Sequence, residues 1–256
     1  MINKINTLSL SAQAKEAIQK YIGNMDLKLE TKLPREETLA DMLGVSRITV
    51  RQALADLAAE GIVFRKQGKG TFVNRAAMSI AVTFNPVMEF MQMIQKSGYQ
   101  PSMKLLSFQE VKGNREIRNK LYLSENEILL KAEKAFLADN KLCVFCKDYF
   151  SLSLIQDKEA FAKASAYEKS VYPYIYEKSG KKLLWDKVEI STAVPDEIEG
   201  FGAYREKLDA NAASYLYLKE INYGEEGQPL IYVEEYIDTG IIRYNMIRQK
   251  DIDYSK

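Results

Sequence analysis

The chain has no histidine among its 256 residues. That removes Ser-His and Cys-His catalysis and every histidine-ligated metal site. Any acid–base chemistry is left to carboxylates, lysine or tyrosine. Cysteine is nearly as scarce. Cys143 and Cys146 are the two present, and so few fit a reducing compartment. Their CVFC spacing invites a redox or metal reading, but the flanks, KLCVFCKDYF, are rich in Val, Phe and Tyr and read as a strand. Positions i and i+3 of a strand point to opposite faces, so the two thiols are expected as separate packing residues. No apolar run approaches membrane-spanning length, and MINKINTLSLSAQ holds no apolar signal core. The expectation is a cytoplasmic protein with no membrane contact, no metal and no cofactor. Repeats and low-complexity segments are also lacking.

What is present is a large apolar fraction, 46%, enough for a real core and too much for a disordered chain. The formal net charge of +1 hides an asymmetry: residues 1–75 carry +4 and the remainder −3. A basic front and a mildly acidic back imply that only the front meets a polyanion.

Residues 9–24 read as a helix with Ala14, Ala17, Ile18, Tyr21 and Ile22 on one face. A break follows at Leu33 and Pro34. Residues 35–43 form a short helix closed by Gly44, and Ser46 caps a third helix whose apolar stripe is Val50, Ala53, Leu54 and Leu57. Gly61 ends it. IVFRK and GTFVN then read as two strands joined by Gln67, Gly68 and Lys69. Past residues 74–80 strands and helices mix. Val87, Phe90, Met91 and Ile94 mark a helix, and shorter helices fall near 114–121 and 170–179. Residues 103–112, 127–138, 141–150, 183–194, 214–223 and 229–238 read as strands, the last two joined by a turn at Glu225–Gln228. The expected class is α+β with a mostly antiparallel sheet in the second part. The expected domains are 1–75 and 76–256.

On the third helix, Arg47, Ile48, Thr49, Arg51 and Gln52 fall off the core-facing stripe and crowd into its first turn and a half. A helix N-terminus favours phosphate through its free N–H groups and partial positive charge. Arginine there suits guanine edges or phosphate oxygens, and an exposed isoleucine suits a thymine methyl. This is the pattern of a recognition helix entering the major groove. The hairpin holding Arg65, Lys66, Gln67, Gly68 and Lys69 makes a basic wing, its glycines allowing close approach to the DNA backbone. The GKGT at 68–71 is not a phosphate-binding loop. It has no glycine five residues upstream and no strand leading into it.

The segment LPREETLADMLGVSRITVRQALADLAAEGIVFRKQGKGTFVN resembles the winged helix-turn-helix of GntR-family bacterial transcriptional regulators. The resemblance covers residues 10–74. It implies DNA contact by Ser46, Arg47, Thr49, Arg51, Gln67 and Gly68. It also implies an arginine directly after the Pro-x-Glu of the second helix, where this chain has Glu37. Arg35 is the expected substitute. Residues 80–250 resemble the UTRA effector-binding domain of the HutC subfamily, whose fold is similar to chorismate lyase. The features that carry this are Gly98 to Ser102, the hairpin Ala138, Asp139, Asn140, the stretch Ser170, Val171, Tyr172, and the closing Gln228, Pro229, Leu230 with Glu235 and Tyr236. Paired arginines of that subfamily fall on Lys134 and Phe136, and a glutamate falls on Cys146. The implied ligand residues are Ser102, Lys134, Phe136, Ser170, Tyr172 and Tyr236. Glu235 and Arg243 are added as charges beside the closing strand.

The sequence is thus read as a homodimeric regulator, a repressor and not an enzyme, that binds double-stranded operator DNA and responds to a small, anionic effector. A chorismate-lyase-like enzyme with a DNA-binding appendage, and a constitutive DNA-binding dimer without effector, stand as alternatives.

Overall fold

The computed structural model describes residues 9–78, 80, 82–84, 88–155 and 171–248. They divide between two compact units, residues 1–85 with 245–256 and residues 86–244.

The first unit opens with helix α1 (Leu10–Gly23), where Ser9 accepts the Ala12 N–H at 3.2 Å and Ala14, Ile18 and Ile22 form the buried stripe. Helix α2 (Glu36–Leu43) buries Leu39 and Ala40 and stops at Gly44, whose φ of +64° is left-handed. Helix α3 (Arg47–Ala59) begins at Ser46, whose Oγ accepts the Thr49 N–H at 3.1 Å. Its Val50, Ala53, Leu54 and Leu57 enter the same core as the α1 stripe, Leu39 and Ala40. Gly61 follows with φ +72°, and a Cβ there would lie 2.7 Å from Ile247 Cγ2. Conformation and space both require glycine. Strands β1 (Val63–Lys66) and β2 (Gly70–Val73) pair from Val63 with Val73 to Lys66 with Gly70. Residues 31–33 run along β2, with Val73 N–H on the Thr31 carbonyl at 2.7 Å and Leu33 N–H on that of Thr71 at 2.9 Å. The four-residue helix α4 (Arg75–Met78) is not anticipated by the sequence, being too short to show a period.

In the second unit come helix α5 (Phe90–Lys96), strand β3 (Pro101–Val111), helix α6 (Arg115–Lys120), strands β4 (Leu129–Ala138) and β5 (Lys141–Ser151), and helix α7 (Val171–Ser179). Strand β6 (Leu183–Ala193), helix α8 (Gly202–Arg205) and strands β7 (Tyr215–Gly224) and β8 (Pro229–Ile237) complete it. The six strands form one antiparallel sheet in the order β3-β4-β5-β8-β7-β6. All six expected strands are present, with ends shifted by one or two residues at most. Of the helix expected from Val87, the described part starts at Phe90, and Val87 itself lies outside the described residues.

Each sheet face is covered differently. One face carries Leu130, Ala132, Phe150 and Val233, packed against Val171, Tyr174 and Ile175 of α7. Phe136 on this face meets Phe90 of α5, ring centroids 5.0 Å apart. The other face carries Ala135, Phe145 and Tyr236 packed with Phe201, and Leu129, Tyr149 and Tyr232 packed with Ile117 of α6. A row of alternating charge crosses this second face: Glu133 opposite Lys147, Lys147 opposite Glu234, Glu234 opposite Lys219, and Lys219 opposite Glu189. Slipping any strand by one residue would break the row and turn every side chain of that strand to the wrong face, so the row reinforces register.

Candidate nucleic-acid interface and ligand-binding face

The first turns of α3 are laid open as the helical spacing requires. Ser46, Arg47, Ile48, Arg51 and Gln52 are exposed, Ile48 by 79%, and Thr49 is half-buried. Ser46 Oγ and Thr49 Oγ1 lie 2.8 Å apart, so the capping bond also orients the threonine hydroxyl. The wing turn of Gln67, Gly68 and Lys69 is exposed, with Gly68 at φ +69°. Lys66 is turned back over the wing, its Nζ 4.8 Å from the centroid of Phe72 and 5.4 Å from that of Phe64. Gln52 Nε2 donates to Asp56 Oδ1 at 2.9 Å along the helix. Arg35 is exposed at the N-terminus of α2 and makes no capping bond with its side chain.

The residue that the sequence reading passes over is Glu36. Its two carboxylate oxygens hold Arg51 Nε at 3.3 Å and Arg65 Nη2 at 2.9 Å. One side chain on α2 thereby ties the recognition helix to the wing. Glu37 lies beside it, with Arg47 Nη1 at 3.9 Å from its carboxylate. The three arginines are thus aligned by two adjacent glutamates while their side chains stay more than half exposed. A signal existed in the acidic pair opening α2, but its partners lie 15 and 29 residues away, and no local pattern links them.

In the second unit the structure gathers part of the residues expected at a ligand site. Lys134 of β4, Cys146 of β5 and Glu235 of β8 stand in one cross-strand row. In the neighbouring row Ala132, Asp148, Val233 and Glu220 face one another. Residues two apart share a face, so Lys134, Phe136, Cys146, Asp148, Glu220 and Glu235 all point to the side covered by α7. Tyr172 packs there too. Glu220 and Glu235 sit diagonally on adjacent strands with their carboxyls in hydrogen-bonding reach.

This cluster is out of water. Lys134 is 6% exposed and Asp148 2%, and the two form an ion pair. Burial works against the Lys134 charge, but Asp148, then Cys146 and Glu235, outweigh it and hold the ammonium above its ordinary pKa. The Cys146 thiol donates to Asp148 Oδ1 at 3.2 Å. Burial, with Asp148 next, pushes this thiol well up, which makes it an inert packing group. Cys143 is likewise buried and free, its pKa raised to about 12 by burial and by Asp238. Burial raises the Tyr172 phenol, with Glu220 adding to it. Burial raises Glu220 to about 7, with Asp186 the next cause. Burial and then Glu220 push Glu235 well above the carboxylate range.

Three placements differ from the expectation. Lys134, read as a donor to an anionic ligand, is committed to Asp148. Tyr236 faces away from the cluster, because it neighbours Glu235 on one strand. It stacks on Tyr217 at 4.5 Å on the opposite side of the sheet. Ser102 pairs with Leu137, whose side chain belongs to that opposite core. A bulge between Leu105 and Ser107 resets the alternation along β3. Arg243 lies exposed beyond β8. Ser170 is outside the described residues. Among the described residues no group of His, Cys, Asp and Glu has metal-binding geometry, and no helix is long and apolar enough to cross a membrane.

Comparison with known proteins places both units. Residues 10–73 match the bacterial regulatory proteins of the gntR family, and residues 96–243 match the UTRA domain. The chain is 25% identical over 228 residues to the HTH-type transcriptional repressor NagR of Bacillus subtilis, covering 88% of this chain and 89% of that protein. It is 30% identical over 162 residues to YurK, an HTH-type transcriptional regulator of the same organism, covering 63% and 66%. The fold is similar to the crystal structure of YydK from Bacillus subtilis, with a TM-score of 0.68 at 19% identity over 95% of this chain and all of that one. It is also similar to PhnF from Mycobacterium smegmatis, with a TM-score of 0.56 at 17% identity over 93% of this chain and all of that one.

Proposed function

We propose that this chain, which belongs to the UTRA-domain family and carries a gntR-family DNA-binding domain ahead of it, is a repressor of the HutC type that holds operator DNA as a cytoplasmic homodimer and releases it when a small molecule occupies the face beneath α7. The observation that carries the reading is the exposed first turn of α3, with Arg47, Ile48 and Arg51 set beside a basic wing and joined to it through Glu36. Arg47 and Arg51 are assigned to base edges or phosphates, Ile48 to a thymine methyl, and Gln67, Gly68 and Lys69 to the backbone at the wing. Arg35 takes the phosphate contact that Glu37 cannot make. No catalytic turnover is assigned to the sheet domain.

The support for a homodimer is the β6 edge of the sheet, which no strand among the described residues covers. β6 is an eleven-residue edge strand with Leu184, Trp185, Val188 and Ile190 exposed, a surface that a lone soluble protein would ordinarily blunt. Antiparallel pairing of two β6 strands about Val188 sets Lys187 of each copy opposite Glu189 of the other, so the edge is self-complementary under two-fold symmetry. Two copies also double the phosphates met by one winged domain.

Selection of duplexes from a random pool by the full chain tests the reading. It predicts enrichment of a two-fold symmetric sequence bound by two chains. Failure to enrich any sequence over competitor DNA, or one chain per selected duplex, would refute it.

A further inference from the structure

Resting on the reading of the α7-covered face as the effector site, we propose that the effector carries a protonated amine seated against the Glu220 and Glu235 carboxyls, and no phosphate.

At the two positions where the HutC resemblance expects positive charge, none is free. Lys134 is paired with Asp148, and the second position at which the HutC resemblance expects a cation holds Phe136. A phosphate placed here would meet Glu220 and Glu235 with no free counter-charge from either position. The carboxyl pair has the opposite need. Both groups are buried, they lie within reach of each other, and Asp148 and Asp186 add their negative fields. Two desolvated carboxyls at this range share a proton, and they ionise together only when a cation stands between them. With Glu220 held up to about 7, the pair keeps a shared proton near neutrality, and an ammonium can displace it.

A separate observation comes from Asn222, at the same place. Asn222 lies two residues along β7 from Glu220, on the same face, and is 5% exposed. Its Nδ2 makes only a loose hydrogen bond to Glu220, and no partner of good geometry is found for it among the described residues. The amide has two N–H groups, a buried one without a good acceptor is costly, and an oxygen of a ligand next to its amine would satisfy it. Phe136 and Tyr172 supply aromatic surface on this side of the sheet. Lys134 Nζ already lies 5.9 Å from the Phe136 ring centroid, so this environment accepts an ammonium.

The test uses the full chain with benzylamine, benzyl alcohol, benzoate and inorganic phosphate as probes, followed by calorimetry and saturation-transfer NMR. Benzylamine is expected to bind at least about tenfold more tightly than the other three, and Glu220→Gln or Glu235→Gln to weaken it by at least about tenfold, the usual cost of removing one charged hydrogen-bond partner. Calorimetry of the unaltered chain below pH 7, in two buffers of different ionisation enthalpy, is expected to show proton release on benzylamine binding. That result stands even where a variant folds poorly. Absence of benzylamine binding, or binding without proton release, overturns the proposal. Benzoate or phosphate binding that outdoes benzylamine and strengthens in both variants keeps the face as the ligand site and overturns the amine alone. Benzylamine binding that is equal in wild type and both variants overturns the face itself.

Discussion

Replacing Lys134 by methionine keeps roughly the length of the side chain and deletes its charge. Asp148 is then left 2% exposed with its counter-ion gone and, among the described residues, the weak thiol donor of Cys146 beside it. Removing one partner of a buried ion pair costs about 3–5 kcal/mol. The converse change, Asp148→Asn, should cost less, about 1–3 kcal/mol. Lys134 still feels Glu235, which can ionise and take over as counter-ion. Carrying both changes together removes both charges, so the double variant should lie above the sum of the singles by about 2 kcal/mol or more in stability. The assay is urea unfolding of the full chain followed by tryptophan fluorescence. Trp185 is the chain's one tryptophan, and it stacks on Tyr223 at 3.9 Å within the sheet domain, so the signal belongs to the unit that carries the pair. Single changes that each cost less than about 1 kcal/mol and add without coupling would place the pair in water and refute the buried-cluster reasoning.

Glu220 gives stability a pH dependence whose sign follows from its raised pKa. The folded chain holds the proton more tightly than the unfolded one, so the contribution is full in acid and is lost as pH rises from the ordinary carboxylate range through about 7. The urea midpoint of the sheet domain should therefore fall between about pH 5 and pH 8, and Glu220→Gln, which removes the group facing Asp186, Asp148 and Glu235, should flatten that fall. Glu36→Gln should free Arg51 and Arg65, steepen the salt dependence of DNA binding by about one unit and narrow the gap between selected and mixed-sequence DNA. Because those arginines are exposed, its melting should change by no more than about 1 kcal/mol of stability. Val188→Asp sets like charges across the proposed two-fold axis, and the full chain should then sediment as a monomer at concentrations where the unaltered chain is a dimer.

The first three helices are legible from their apolar stripes and end signals, α3 most plainly: Ser46 before, Val50, Ala53, Leu54 and Leu57 along, Gly61 after. The six strands were legible from their length and β-branched and aromatic content. What the sequence did not carry was which side of the sheet each residue faces. Glu235 and Tyr236 look like one site in a linear reading and lie on opposite faces in the fold, and Ser102, an odd number of residues from Leu105 opposite Lys134, falls on the other face from Lys134 by plain alternation. The ion pair of Lys134 with Asp148 joins two strands, and the carboxyl pair of Glu220 with Glu235 joins two others. Neither can be seen until register is fixed. Glu36 was missed for a related reason, since its partners are distant along the chain. The helices at Arg75–Met78 and Gly202–Arg205 span about one turn and leave no periodic trace.

The central claim, that the first turn of α3 reads DNA, is tested most directly by fluorescence anisotropy of the full chain on its selected duplex at fixed salt, with Arg47→Ala and Arg51→Ala beside the unaltered chain. Each change should cost about 1–3 kcal/mol of specific binding while leaving the melting curve in place, because both side chains lie off the buried stripe. Undiminished affinity in both variants would contradict the assignment of this helix to the major groove.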